Sequence, residues 1–571
     1  MKPAQSPESA RAVLDRLGVA EGPIAADPVS FLRSLAAAGA AMVKNPTATA
    51  AANTHLLMGL AAAVRATAGL MVGQQPTGPA SPVDGDKRFR DPAFAENPLY
   101  FLLEQQYLLA SQLVTELLDA AGLDAERDFK ARFAAKFIVD ALAPTNTLPG
   151  NPAALREVFN SGGKSLVRGA RNMLGDLRNN GGWPAQVDDT DFEVGVNMAA
   201  TAGAVVYRNE LIELIQYEPQ AKRVHSVPLL FCPPWINKYY IMDLAPGKSL
   251  IEWAVQHGHT CFAISYRNPD SSMRDVDFED YLRRGPLDAV RVVREITGAT
   301  EVNTLSVCLG GTLTAIGLAH NAAIGDRSIK SATFLNTLID FSVAGTLGVF
   351  TDEATIAGLE KQMAKKGFLD SDKMAHTFDA LRANDLIFQY VANNWLLGKK
   401  PPAFDLLVWN KDSTRMPAKM HSRYLRSCYL NNEFARGEFE IDGHKLDPGK
   451  VDIDTYVLSA VDDHIVPWAA GYQTTQLLGG HKRYVLSSSG HIAGIVNPPG
   501  PKAKHWTNET LPADAQEWKD AAQLEEGTWW KDWTTWIAGQ GGPMVAPPRR
   551  LGSKEHPPIE PAPGSYVRRA T

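Results

Sequence analysis

Leu305-Ser306-Val307-Cys308-Leu309-Gly310-Gly311-Thr312 completes a short apolar run, Val302–Val307, and leads into a helical pattern. A strand, a sharp turn and a helix in that order form an elbow that presents a nucleophile above a sheet. The turn is tight, so the residues two before and two after the central one must be small. Here those residues are Ser306 and Gly310, and Cys308 holds the central position. A cysteine at a helix N-terminus has its thiolate favoured by the helix dipole and by free backbone N–H groups. Taken alone, the segment also fits a buried cysteine between a strand and a glycine-rich helix start, so its neighbours decide.

From about residue 205 onward, short apolar runs alternate with helical stretches such as Tyr281–Ile296. Val227–Phe231, Cys261–Ser265, Val302–Val307, Ala332–Leu335, Tyr456–Ser459 and Tyr484–Leu486 are the strand candidates. Continuous apolar strands between helices predict an α/β fold with a mostly parallel central sheet covered on both faces. Between Leu335 and Tyr456 the rhythm breaks. Residues of about 340–450 therefore read as a cap insertion, which in such folds covers the site. Residues 1–190 read as a helical N-terminal domain, with apolar residues at helical spacing in Leu102–Leu118, and residues 191–571 as the catalytic domain. Gln75–Asp91 reads as a linker. Five tryptophans between Trp518 and Trp536 predict one helix docked by its aromatic face. The Pro-rich C-terminal stretch is expected to lie extended on the surface.

Two further segments supply partners for Cys308. Ser-Ala-Val-Asp-Asp-His-Ile-Val-Pro-Trp (459–468) follows one late strand, and Ser-Ser-Ser-Gly-His-Ile-Ala-Gly (487–494) follows the next. The chain order Cys308, Asp463, His491 is the nucleophile–acid–histidine order of α/β-hydrolases. All three follow strand C-termini, where an open α/β sheet places its ligands. One oxyanion donor is then the backbone N–H of Leu309, and the other comes from the loop after an early strand. That loop begins Cys232-Pro233-Pro234, and proline has no N–H, so Trp235 or Ile236 is the candidate donor.

Composition narrows the rest. The net charge of −6 gives no basic surplus for wholesale nucleic-acid binding. Four cysteines in 571 residues, none at CxxC spacing, point to neither a disulfide framework nor a zinc site, and a reducing cytoplasm fits. Lys2 is followed by polar residues and proline rather than by the apolar core of a signal peptide. The most apolar early stretch, Leu56–Val64, is too short to span a membrane, so no transmembrane segment is expected. Residues 31–72 read as Ala-rich amphipathic helix, with a surface-seeking helix as the other reading.

The chain resembles the class I polyhydroxyalkanoate synthases. The resemblance is carried by PPWINKYYIMDL (233–244), SYRNPD (265–270), CLGGT (308–312), NDLIFQYVANNWLLGKKPPAFDLLVWN (384–410), DDHIVPW (462–468) and SGHIAGIVNPPG (489–500). DKRFRDPAFAENPLYF (86–101) extends it into the helical part. The resemblance implies an α/β-hydrolase fold and polymerisation of (R)-3-hydroxyacyl-CoA, with (R)-3-hydroxybutyryl-CoA as the expected monomer and CoA released. It implies Cys308 as nucleophile, with His491 and Asp463 as its partners. It makes Trp235, Asn237, Tyr239, His464 and Thr312 candidates for the substrate pocket. It also implies a homodimer at polyester granules in the cytoplasm, with no metal and no cofactor beyond the CoA thioester substrate. Two departures stand out: Ser306 replaces the usual glycine of the elbow, and Trp235 stands where many class I members have cysteine. A hydrolase of the same fold, or a non-catalytic granule-associated protein, are the other readings.

Overall fold

The computed structural model describes residues 28–569, so the expectation about a signal sequence lies outside the described residues. The chain divides into two compact units, Met1–Asp188 with His376–Ala403, and Asp189–Ala375 with Phe404–Thr571.

The first unit is helical. Its main helices are α1 (Pro28–Lys44), α2 (Pro46–Met71), α3 (Pro98–Ala121), α4 (Ala125–Ala141) and α5 (Lys164–Asn179). Asn45 and Asn97 cap α2 and α3 with their side chains, each followed by a proline, whose missing N–H costs nothing in the first turn. α2 lies along α3, and α1 against α4. Helix α2 is long and apolar enough to cross a membrane by length and composition alone, with only 11% of its most apolar window buried. The apolar run read as nine residues from the sequence is thus part of a 26-residue helix, and its shortness no longer argues against a span. Residues 376–403 belong to this unit, so the interval 340–450 is not one piece. Gly169 of α5 is the reason it can pack there: a Cβ would lie 1.9 Å from the carbonyl oxygen of Trp395. Trp395 also donates through Nε1 to Asp176 at 2.7 Å.

The second unit is built on an eleven-stranded sheet. Its strands are β1 (Gly203–Arg208), β2 (Ile212–Tyr217), β3 (Leu229–Cys232), β4 (Cys261–Tyr266), β5 (Val302–Val307), β6 (Ile329–Leu335), β7 (Asp454–Ala460), β8 (Lys482–Ser487), β9 (Lys504–Thr507), β10 (Gln523–Glu526) and β11 (Glu560–Pro561). Their order is β10-β9-β8-β7-β6-β5-β3-β4-β2-β1-β11. The six from β8 to β4 are parallel and coincide with the six strand candidates, while antiparallel strands extend both edges. β3, β4 and β5 are buried along their whole length, as their unbroken apolar sequences require.

Two expectations change. Trp518 to Trp536 is not one helix: it is a short helix, Ala515–Ala521, then β10, then a second helix, Trp530–Gln540. Gln523–Glu526 pairs with β9, and Gly527 at φ 104° turns the chain afterwards. The tryptophans are core as read: Trp518, Trp529, Trp530 and Trp533 are fully buried. The C-terminal stretch is not loose on the surface. β11 pairs with β1, and the buried Glu213 carboxylate accepts from the Tyr566 N–H at 2.9 Å and the Ser565 hydroxyl at 2.9 Å.

Candidate active site

Register brings the functional loops to one edge. Cys232 of β3 pairs with Ser306 of β5, Val307 with Leu335 of β6, Leu335 with Leu458 of β7, and Ala460 with Ser487 of β8. The loops beginning at 233, 308, 336, 461 and 488 therefore leave the sheet together.

Cys308 stands between β5 and helix α6 (Leu309–Ile324), with φ 50° and ψ −122°. A residue with a side chain reaches that region only under strain, and the strain persists because neighbours over-determine it. The Cys308 N–H donates to Leu335 O at 2.9 Å, and its carbonyl accepts from Gly311 N at 2.9 Å and Thr337 Oγ1 at 3.2 Å. Gly310 is required by space: a Cβ there would lie 2.4 Å from the carbonyl oxygen of Cys232 and 2.5 Å from that of Pro233. Ser306 is tolerated because its buried hydroxyl is satisfied. It bonds Thr314 Oγ1 at 2.9 Å, which donates onward to Gly310 O at 2.8 Å.

His491 and Asp463 meet here, with Nδ1 of the imidazole 2.6 Å from Oδ2 of the carboxylate. The other oxygen, Oδ1, accepts the backbone N–H groups of Ile465 and Val466, each at 2.9 Å. Asp463 is buried, whereas its neighbour Asp462 is exposed. Burial works against charge on the His491 ring, but the Asp463 carboxylate and the Cys308 sulfur outweigh it and hold the pKa well above its usual value. The three groups thus form one electrostatic unit suited to an imidazolium beside a thiolate. Two tryptophans secure the histidine loop from behind: Trp529 Nε1 donates to Gly494 O at 2.8 Å, and Trp530 Nε1 to Ile495 O at 3.0 Å.

The oxyanion candidates occupy their expected loops. Leu309 opens α6, where its N–H has no partner within the helix. Trp235 and Ile236 form the turn after Pro234, and Gly310 packs on the start of that loop. Trp235 is fully buried, its ring edge-to-face with Tyr424 at 5.5 Å and Phe278 at 5.9 Å.

The other pocket candidates serve the scaffold. Thr312 donates to Leu338 O at 2.6 Å, pinning α6 to the segment after β6. Asn237 accepts from the Lys238 N–H at 3.1 Å and bridges to Ser413. Tyr239 has Tyr217, Asp243, Glu213 and Arg568 as its polar neighbours. The backbone of His464 lies against Gly345 of the insertion.

Sequence reasoning missed the residues that face the thiol from the insertion. Tyr424 and Tyr429, ring centroids 5.4 Å apart, are both electrostatic neighbours of Cys308, and burial raises both phenol pKa values. Phe341 packs on Tyr429 at 4.9 Å. It missed Asn336 as well, whose side-chain amide donates to the His491 carbonyl. Among the described residues, no three His, Cys, Asp or Glu side chains group as metal ligands would.

An α/β-hydrolase fold carrying a cysteine at its elbow, beside a histidine–aspartate pair, is the class of protein that this sheet and site define. A family model for the alpha/beta hydrolase fold matches residues 227–498, and one described as the N-terminus of poly-beta-hydroxybutyrate polymerase (PhaC) matches residues 85–254. The chain is 43% identical over 541 residues to the poly(3-hydroxyalkanoate) polymerase of Methylorubrum extorquens, covering 94% of this chain and 89% of that one. It is 44% identical over 490 residues to the poly(3-hydroxyalkanoate) polymerase subunit PhaC of Cupriavidus necator, covering 85% and 83%. The chain belongs to the poly(3-hydroxyalkanoate) polymerase family, whose members are acyltransferases. Among solved structures, the enol-lactonase of Burkholderia xenovorans LB400 overlaps 50% of this chain and 91% of its own, at 16% identity and a TM-score of 0.26.

Proposed function

We propose that this enzyme polymerises (R)-3-hydroxyacyl groups, chiefly (R)-3-hydroxybutyryl, from coenzyme A thioesters through a Cys308 acyl-enzyme. His491 takes the thiol proton, and the sulfur attacks the thioester carbonyl. The N–H of Leu309 and one from Trp235 or Ile236 receive the oxyanion. Collapse expels the CoA thiolate, which recovers the proton from His491. The 3-hydroxyl of the next acyl unit then loses its proton to His491 and attacks the acyl carbon, and Cys308 leaves as the thiolate. Asp463 holds the imidazole in the productive tautomer and supports its charge. Thiolate-for-thiolate exchange is nearly balanced, which suits a cysteine to reversible loading from a thioester. Phe341, Tyr424 and Tyr429 supply the apolar cover that keeps water from the acyl-enzyme.

The observation that carries this reading is the strained Cys308 beside the His491–Asp463 pair, in a chain of this family. A homodimer at cytoplasmic polyester granules, with no cofactor beyond its CoA substrate, belongs to the same proposal. The test is 3-hydroxybutyryl-CoA feeding, with CoA release and polymer measured together for the natural chain and Cys308→Ala. Polymer from the former and no CoA from the latter is the expected result. Free 3-hydroxybutyrate without polymer would favour a hydrolase, and no CoA release at all a non-catalytic granule protein.

A further inference from the structure

Lys238 is a buried cation three residues beyond Trp235 that the mechanism above does not use. Its Nζ contacts three acceptors: the carbonyl oxygens of Val567 at 2.7 Å and Arg569 at 3.2 Å, and Asp412 Oδ1 at 2.6 Å. An ammonium has three N–H donors, so the set is complete. The lysine backbone is held as well, its carbonyl accepting from Trp409 Nε1 at 2.8 Å. The other oxygen of Asp412 accepts from the Tyr240 hydroxyl at 2.8 Å. The end of the chain is thereby tied, from more than three hundred residues away in sequence, to the loop that carries Trp235 and Ile236.

We propose that Lys238 is a positioning residue through which the C-terminal tail sets the geometry of the oxyanion loop. The proposal rests on the assignment of that loop to the oxyanion. A backbone donor stabilises a developing oxyanion only when it is fixed before the charge appears. Pro233 and Pro234 stiffen the loop before Trp235, and nothing in proline chemistry holds the chain after Ile236. The Lys238 knot supplies that second anchor. Carbonyls of the tail are suited to the task because they accept without adding a second negative charge beside Asp412.

The test is a double-mutant cycle of Lys238→Met and a chain ending at Tyr566. The shorter chain keeps the Ser565 and Tyr566 contacts to Glu213 and removes both carbonyls that hold Lys238. Each change should lower kcat for 3-hydroxybutyryl-CoA about 100-fold, the scale of an ångström misplacement in a site, with KM little altered. Truncation in the Lys238→Met background should cost nothing further. Iodoacetamide alkylation of Cys308 is the control, since displacement of iodide at a saturated carbon makes no oxyanion. It should proceed at the natural rate in all three variants. Near-full kcat in Lys238→Met, independent additive losses, or alkylation falling in step with kcat would each overturn the proposal. If Lys238→Met does not fold, the truncation alone decides through its ratio of kcat loss to alkylation rate. Full CoA release by Cys308→Ala would instead remove the underlying reading, so the two failures are distinguishable.

Discussion

Asp463→Asn replaces one oxygen by nitrogen, and the surroundings dictate which one. Oδ1 accepts two backbone N–H groups, from Ile465 and Val466, and Oδ2 faces Nδ1 of His491. An asparagine that turned its amide toward the backbone would set donors against two donors. It must therefore keep its oxygen there and present its N–H to His491 Nδ1. The ring then accepts at Nδ1 and carries its proton on Nε2, the wrong tautomer for receiving a proton from Cys308 or from a substrate hydroxyl. The two halves of the reaction should suffer unequally. An unassisted thiol of pKa ~8.5 is still about 3% ionised at pH 7, so loading should slow by about 30-fold. The CoA leaving group is itself a stable thiolate and asks for no acid. Elongation must ionise an alcohol and has no such reserve, so it should fall by about 10⁴-fold, as when a serine–histidine pair loses its carboxylate.

Rapid-quench loading with labelled 3-hydroxybutyryl-CoA separates the two steps. The variant should show a burst near one label per site, slow at pH 7 and close to the natural rate at pH 9, followed by negligible polymer growth. Loading that stays lost at pH 9 would refute the tautomer argument. So would polymer growth within tenfold of the natural enzyme, which would show that the imidazole still accepts protons.

Gly310→Ala places a methyl against two backbone oxygens that cannot rotate away, so both thermal stability and the loading burst should fall, the burst by about 100-fold. Trp235→Ala opens space beside Tyr424, and competition between 3-hydroxybutyryl-CoA and 3-hydroxyhexanoyl-CoA should shift toward the longer monomer. The shift should be graded, since one methylene is worth ~1–3 kcal/mol in a pocket. Asp379, in the helical unit, is pushed by burial up to a pKa of about 7, with a Gln186 hydrogen bond opposing. The folded state then holds a proton that the unfolded chain releases above pH ~4, so stability falls as pH rises through that interval and levels off above it. Asp379→Asn should remove this slope, a gain of up to about 4 kcal/mol at pH 8, read from denaturant midpoints of the natural and variant chains at pH 5 and 8.

Six parallel strands were legible because burial on both faces demands unbroken apolar runs, and LLFC, CFAISY and VNTLSV have them. The edge strands were not. Gln-Leu-Glu-Glu at 523–526 is exposed throughout and has no apolar face to announce it. Its pairing comes from its neighbour, which is why the tryptophans around it read as one helix. Cys308, Asp463 and His491 were legible as motifs after strands, and the choice of Asp463 over Asp462 matches the buried carboxylate. The pocket candidates were read by proximity in sequence to those motifs. Proximity fails for Tyr239, because the chain after Asn237 turns away toward Tyr217 and Asp243. Tyr424 and Tyr429 carry no local pattern, and only folding brings them to the thiol.

β6 shows most clearly what a motif scan passes over. It carries no candidate for the chemistry, yet its end joins the three loops that do. Leu335 O receives the Cys308 N–H at 2.9 Å, and Thr337 Oγ1 donates to the Cys308 carbonyl at 3.2 Å. The Asn336 N–H donates to Leu458 O on β7 at 2.8 Å, and its side chain reaches the His491 carbonyl. Asn336 does this at φ 44°, a region that asparagine enters more readily than most residues. A strained elbow is useful only if its strain is not relieved by drifting from its base. Here the same two residues hold the elbow on one side and the histidine loop on the other, so that displacement of either must pull on both.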